Sequence, residues 1–384
     1  MVAPFGINVS TAGGTFNYRP PEWPRMKVVL IGVGQAGGEI TQALVGFDER
    51  MGFDAVRGAL ATNSAKTDLQ ALDLDTVLIG QDRVKGHGVG GDNELGAEVM
   101  QADAGEVMDS LDGRITAEAD AVFVVAGLGG GTGSGGAPVL AKELNRVYSI
   151  PVYALGVLPG RGEGAMYQAN AGRSLKTLVR EADATLLVDN DAWHGAGQSV
   201  EEAFDAINQA IAQRIGLLLA SGEAVEGVAE SVVDSSEVIN TLRSGGIAAL
   251  GYASAEASED SGENVNTVTS VTRKALLTGT SLPDAVTADS ALLVVAGDAD
   301  RIPRKGVERA RSWVEEETGS MQVRGGDFPL DSESLASLVL LGGVERGQRV
   351  QEFMERAREA QKEQQESTTD HADRFQNDEL DDLF

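Results

Sequence analysis

The sequence predicts an α/β fold: a doubly wound, mostly parallel sheet, then a long central helix, then a smaller α+β domain. Three observations carry this. Short apolar runs at 28–31, 58–62, 76–79, 121–126, 152–158 and 185–188 alternate with helical stretches, the pattern of strands covered on both faces. Residues 199–221, SVEEAFDAINQAIAQRIGLLLAS, set Val200, Phe204, Ile207, Ile211, Ile215 and Leu218 at helical spacing on one face. Twice, an apolar strand passes into a helix through a glycine-rich turn, at 32–38 and 129–135.

Along the chain, residues 1–25 carry Gly, Pro and isolated aromatics without periodicity and read as an extension outside the fold, with Met26 a candidate start of translation. The first domain spans 26–198 and the connecting helix 199–221. The second domain, 222–348, is expected to contain helices at 235–242, 264–277 and 303–318, and strands at 247–253, 291–296, 321–324 and 337–341. A charged helix over 349–366 follows, and 367–384 is an acidic tail of low apolar content, expected to be disordered.

Composition excludes several classes of function. A length of 384 residues with 42% apolar content gives each of two domains a core, and the lack of cysteine removes disulfides, thiolate nucleophiles and Cys-ligated metals. The formal charge of −28 argues against nucleic acid, which needs clustered Lys and Arg. With neither a membrane-length apolar run nor a leader, the expected location is the cytoplasm, without membrane insertion. Such an acidic surface is well screened in concentrated salt, which fits a halophilic cytoplasm. His87, His194 and His371 show no metal-ligand spacing, and no Ser/His/Asp set is evident.

The first glycine turn, 32–38, reads GVGQAGG and matches G-x-G-x-x-G after a strand, a dinucleotide fingerprint. An NAD-linked oxidoreductase would also need an acid at the end of the second strand, where this chain has Asn63-Ser64. The second turn, 129–135, reads GGGTGSG and lacks the Walker lysine, so phosphate would be held by successive amides and by the hydroxyls of Thr132 and Ser134. Phosphate loops on neighbouring strands point to a triphosphate spanning them. Asp234 and Glu237, in VVDSSEVINTL, read by themselves as an N-cap with an acid in the first turn.

GGGTGSG resembles the signature of the tubulin/FtsZ superfamily. GVGQAGG (32–38), TNSAKTDL (62–69), LIGQDRVKGHGVGGDNELGAE (78–98), GLGGGTGSGGAPVLAK (127–142) and VVDSSEVINTLRSGGIAALGY (232–252) resemble CetZ, the archaeal tubulin-like cytoskeletal family, over about 26–364. The resemblance implies a GTP-binding domain at 26–198. It assigns Gly34, Gln35, Ala36, Gly37, Gly38 and Glu39 to the first phosphate loop, and Asn63 and Ser64 to the second. Gly90, Gly91, Asp92 and Asn93 fall near the γ-phosphate, and Gly129, Gly130, Gly131, Thr132, Gly133 and Ser134 around the phosphates. Glu163 resembles the ribose-holding acid, and Asn190 and Asn208 the pair that reads guanine, with Phe204 stacking on the base.

Two departures from FtsZ matter. Tyr167 stands where FtsZ carries Arg, and Ala65-Lys66 replace its Thr-Asp, so Mg²⁺ is expected to be held mainly through phosphates and water. The resemblance places Asp234 and Glu237 on the face opposite the nucleotide, where they would act on the GTP of a neighbouring copy; Val232 replaces an Asn of FtsZ at this loop. It therefore implies a GTPase that polymerises head-to-tail into cytoskeletal filaments and influences cell shape. Two other readings stay open: a nucleotide-dependent assembly module without hydrolysis, and the NAD-binding oxidoreductase. The terminal DELDDLF, with Leu380, Leu383 and Phe384 among acids, would suit a protein partner with a basic groove or serve only as a solubilising tail.

Overall fold

The computed structural model describes residues 26–192, 200–221 and 235–375. The expected N-terminal extension, Asp234, His194 and the chain's last nine residues lie outside them. The first half alternates strictly: β1 (Val28–Val33), α1 (Gly34–Met51), β2 (Val56–Asn63), α2 (Lys66–Gln70), β3 (Thr76–Leu78), α3 (Gln81–Val84), α4 (Asn93–Ser110), β4 (Ala121–Gly127), α5 (Thr132–Val147), β5 (Val152–Leu158), α6 (Ala165–Glu181) and β6 (Ala184–Asp189). After α7 (Val200–Ala220) come α8 (Ser235–Leu242), β7 (Ile247–Glu256), α9 (Asn264–Leu277), β8 (Ser290–Gly297), α10 (Arg304–Thr318), β9 (Val323–Pro329), β10 (Ser334–Gly342) and α11 (Gln348–Phe375).

Side-chain alternation explains why both faces of the sheet are covered. Along β1, Val28 and Leu30 join the apolar cluster beneath α1 and α7, with Ile40, Leu44, Ile211 and Ile215. Val29, Ile31 and Val33 join the opposite cluster, with Leu140 and Leu144 of α5, Leu175 of α6 and Phe353 of α11. α7 closes onto α1 at Gly216, where an added Cβ would lie 2.4 Å from the Phe47 ring. It meets β7 through the Arg214 guanidinium, 5.5 Å from the centre of the Tyr252 ring. Burial pushes the Tyr252 hydroxyl up to about 12 and draws Arg214 down to about 10.

The sheet has ten strands in the order β3-β2-β1-β4-β5-β6-β7-β10-β8-β9. β1 through β6 are parallel, and β1 lies between β2 and β4, so successive crossovers diverge there and leave a crevice beyond the carboxyl ends of β1 and β4. Both glycine turns leave the sheet at this crevice.

One feature adds to the sequence-based expectation and a second differs from it. The strands of the second half continue the sheet of the first: β7 pairs in parallel with β6 through Thr185–Ile247 and Leu186–Ala248. Ser281 completes that edge, its Oγ donating to Leu187 O at 2.7 Å and its carbonyl accepting from Asp189 N at 2.8 Å. An uncovered β6 would have presented a row of open backbone groups. Second, α11 runs to Phe375 rather than ending at 366, so part of the segment expected to be a disordered tail is helical. The stretch 348–375 contains neither Pro nor Gly, and extending a helix costs far less than starting one.

Candidate functional site

At the crevice, β1 ends in extended Val33 and α1 starts on Gly34, whose φ is +76°. Gly34 and Gly133 approach so closely that a Cβ on Gly34 would stand 2.8 Å from the Gly133 amide nitrogen. The two glycine turns are therefore in backbone contact, a juxtaposition no side chain would permit. Neither α1 nor α5 has a side-chain cap at its N-terminus, with Val33 and Gly131 in the N-cap positions. First-turn amides and two helix dipoles thus converge on one space, the arrangement that holds a phosphate chain. An added Cβ on Gly130 would meet nothing within 4 Å, so the signature loop opens onto that space.

Behind the loops lies a hydroxyl and amide network. Ser64 Oγ and Thr132 Oγ1 are 2.6 Å apart and buried, linking the end of β2 to α5. Asn63 accepts from the Ser64 amide at 2.8 Å and donates to Asp68 at 2.9 Å. Ser134 departs from the expectation that its hydroxyl would bind phosphate. It is buried, donates to Gly130 O and accepts from Asn93 Nδ2 at 3.2 Å, so it shapes the loop from within. The Asp92 carboxylate caps α4, accepting from Leu95 N at 3.0 Å, while its backbone N–H donates to Val89 O at 3.0 Å and its carbonyl accepts from Gly96 N at 3.0 Å, so Asp92 shapes the loop from within. Asn170, which sequence reasoning missed, donates to Gly91 O at 2.8 Å and to Gly129 O at 3.0 Å and ties the third glycine loop to the signature loop. An asparagine on a helix gives no sequence signal for such a clamp.

Beside the phosphate end a cleft of about 240 Å³ is lined by Gln35, Ala36, Glu39, Gly129, Gly130, Glu163, Asn190, Phe204 and Asn208, with Val33, Ile40, Val157, Pro159 and Tyr167 completing its wall. Asn208 donates to Glu39 at 3.4 Å, and Gln35 to the other Glu39 oxygen at 3.0 Å. Asn190 donates to Glu163 at 3.4 Å, and Glu163 accepts from Gly160 N at 2.8 Å. Phe204 and Tyr167 keep about two-fifths of their surface exposed, leaving ring faces available for stacking. Gly37, Gly38, Asn63 and Ser64 are buried behind the lining, and Gly131, Thr132 and Gly133 form the turn beneath it. Among the described residues, none that lines the cleft is Lys or Arg.

Glu237 lies elsewhere. Its helix α8 lines a second pocket through Ile239, with Arg243 just past the helix end and with Pro151 and Asp183, which precede β5 and β6. That is the amino end of the sheet. β5 has seven residues, so at about 3.3 Å each roughly 20 Å separate the pocket beside α8, the helix that carries Glu237, from the cleft at the other end of the sheet. Among the described residues, no group of three or more His, Asp or Glu side chains gathers as a metal site, and no helix is long and apolar enough to cross a membrane.

A parallel β3-β2-β1-β4-β5-β6 sheet with two contacting glycine loops at its switch point, feeding a long helix and a further mixed sheet, defines the tubulin/FtsZ class of GTPase fold. The Tubulin/FtsZ family GTPase domain matches residues 27–198, and the tubulin-like CetZ C-terminal domain matches 197–359. The chain belongs to the CetZ family of tubulin-like proteins. It is 70% identical to tubulin-like protein CetZ2 of Haloferax volcanii over 360 residues, 94% of this chain and 100% of that one. Among solved structures it is similar to a GTPγS-bound protofilament of CetZ2 from Haloferax volcanii, with TM-score 0.85, 70% identity and coverage of 88% of this chain and 100% of that one. It is also similar to a GDP-bound monomer of CetZ1 from the same organism, with TM-score 0.81, 49% identity and the same coverage.

Proposed function

We propose that the cleft binds GTP and that hydrolysis requires a second copy docked head-to-tail, whose Glu237 and Asp234 complete the active site. The separation of Glu237 from its own cleft by the length of the sheet carries this reading, because an acid at that end can serve only a neighbour's nucleotide. The GTPγS-bound protofilament of CetZ2, to which this chain is similar, supports self-assembly.

In this reading the α1 and α5 amides and the loops at Gly90–Gly91 and Gly129–Gly133 hold the triphosphate, and Glu163 accepts from the ribose. With Nδ2 of Asn190 and Asn208 donating to Glu163 and Glu39, their Oδ1 atoms are the acceptors offered to guanine N1–H and its amino group. Phe204 supports the base. The carboxylates of the docked copy orient a water in line with the bond between the γ-phosphorus and the bridging oxygen. Attack breaks that bond, giving GDP and inorganic phosphate, with positioning the main contribution of the protein. Mg²⁺ arriving with the nucleotide would be coordinated by phosphate oxygens and water and would neutralise charge on the β- and γ-phosphates.

Phosphate release per subunit rises steeply with protein concentration if the site is shared. A rate per subunit that stays flat while filaments form would place turnover within the single subunit, and filaments that form without phosphate release would replace this reading with that of an assembly module without hydrolysis. Subunits of charge −28 repel, so light scattering from GTP-bound protein increases as KCl is raised; a fall would oppose the proposal. A role in cell shape and a protein partner for the tail extend the same reading; the terminal DELDDLF lies outside the described residues.

A further inference from the structure

α11 reaches the cleft through one buried side chain. Arg349, in the helix's first turn, is 1% exposed, and its guanidinium grips the ends of two strands at once. Nε donates to Asp189 at 2.9 Å, at the end of β6, and Nη2 donates to the carbonyl of Pro159, just past β5, also at 2.9 Å. Nη2 further lies 3.5 Å from Asp191, Nη1 lies 3.4 Å from Glu352, and the guanidinium sits 4.2 Å from the centre of the Phe353 ring.

These partners lead directly to the ribose and base positions. Asp189 immediately precedes Asn190. Asp191 accepts from the Arg161 amide at 2.8 Å. The preceding amide, that of Gly160, donates to Glu163, and Gly160 packs so tightly that a Cβ there would lie 2.7 Å from Asp191. Asn190 closes the circuit by donating to the same Glu163 oxygen. The helix itself is seated at Gly172 of α6, where an added Cβ would meet Phe353 O at 2.2 Å.

We propose that Arg349 is a positioning residue for nucleotide recognition: by clamping the β5 and β6 ends together it sets the aim of the Glu163 carboxylate, and so couples the docking of α11 to recognition of the ribose. The inference rests on the assignment of Glu163 to the ribose. A planar fork that satisfies a carboxylate and a carbonyl together cannot be replaced by a lysine ammonium, which is a single point of charge.

The test compares affinities for GTP and 2′,3′-dideoxy-GTP, which lacks both ribose hydroxyls, in wild type and in Arg349→Lys. The expected result is a roughly tenfold loss of the preference for GTP, with dideoxy-GTP affinity little changed. Equal loss for both ligands, as general loosening would give, or an intact preference, overturns the proposal. Glu163→Ala separates the two layers: if it leaves the preference intact, the ribose assignment falls, and if it abolishes the preference while R349K does not, only the role of Arg349 falls. Should R349K not fold, the double variant D189N/R349M takes its place, since it leaves no unpaired charge buried, and the same outcomes apply. Linkage adds a measurement on the unmodified protein: GTP must slow amide exchange in the first two turns of α11 more than dideoxy-GTP does, and equal protection overturns the coupling.

Discussion

Glu237→Ala lowers phosphate release in assembled protein by roughly 100-fold or more while GTP affinity of the isolated subunit stays within about twofold. The two halves of this result have separate causes. Binding is unaffected because α8 sits at the amino ends of β5 and β6, beside Pro151 and Asp183, whereas the nucleotide cleft opens at their carboxyl ends. In the proposed shared site, turnover falls because the carboxylate supplied by the docked copy would orient the attacking water, and alanine offers no acceptor. Equilibrium titration with a fluorescent GTP analogue below the assembly concentration checks the first half, and phosphate release above it checks the second. Unchanged turnover in filaments of the variant refutes the shared site, and loss of nucleotide affinity would mean that Glu237 acts within its own subunit.

Gly34→Ala weakens GTP binding by about 100-fold. An alanine at φ +76° costs roughly 1–2 kcal/mol of backbone strain. Its Cβ would stand 2.8 Å from the Gly133 amide nitrogen, and relieving that overlap costs roughly 1–3 kcal/mol more. Neither neighbour is a flexible side-chain tip, so the glycine loops must part and their amides no longer converge on one phosphate chain. Together these costs lie between about 2 and 5 kcal/mol, and about 3 kcal/mol of that range is a factor of roughly 100 in an equilibrium constant. Titration with GTP, alongside thermal unfolding of nucleotide-free protein, measures both consequences. Wild-type affinity in this variant would show that the contact between the two loops is not what organises the phosphate end.

The parts of this architecture legible in the sequence are those whose cause is local. Val28, Val29, Leu30 and Ile31 form a buried strand whatever follows, and a strand entering a helix through GVGQAGG or GGGTGSG exposes amides wherever it lies in a fold. Site residues set by contacts distant in sequence were less accessible. Ser134 is a hydroxyl in a phosphate loop, and only the positions of Gly130 O and Asn93 turn it inward. Arg349 sits in a charged amphipathic helix and reads as a solvated residue until its burial against Asp189, 160 positions earlier, is known. The join between β6 and β7 depends on two paired residues on each strand, too short a pairing for periodicity to announce.

Among the described residues the cleft wall bears no Lys or Arg, and the loops beside it would offer the polyphosphate neutral amides and the ends of helices. Dissolved ions weaken attraction between exposed charges far more than they weaken short, directed donor bonds inside a crevice. A brine that lets these strongly acidic molecules approach one another thus barely loosens their hold on the ligand. Filament growth and nucleotide loading thereby become separately adjustable, one by the ionic surroundings and the other by ligand supply.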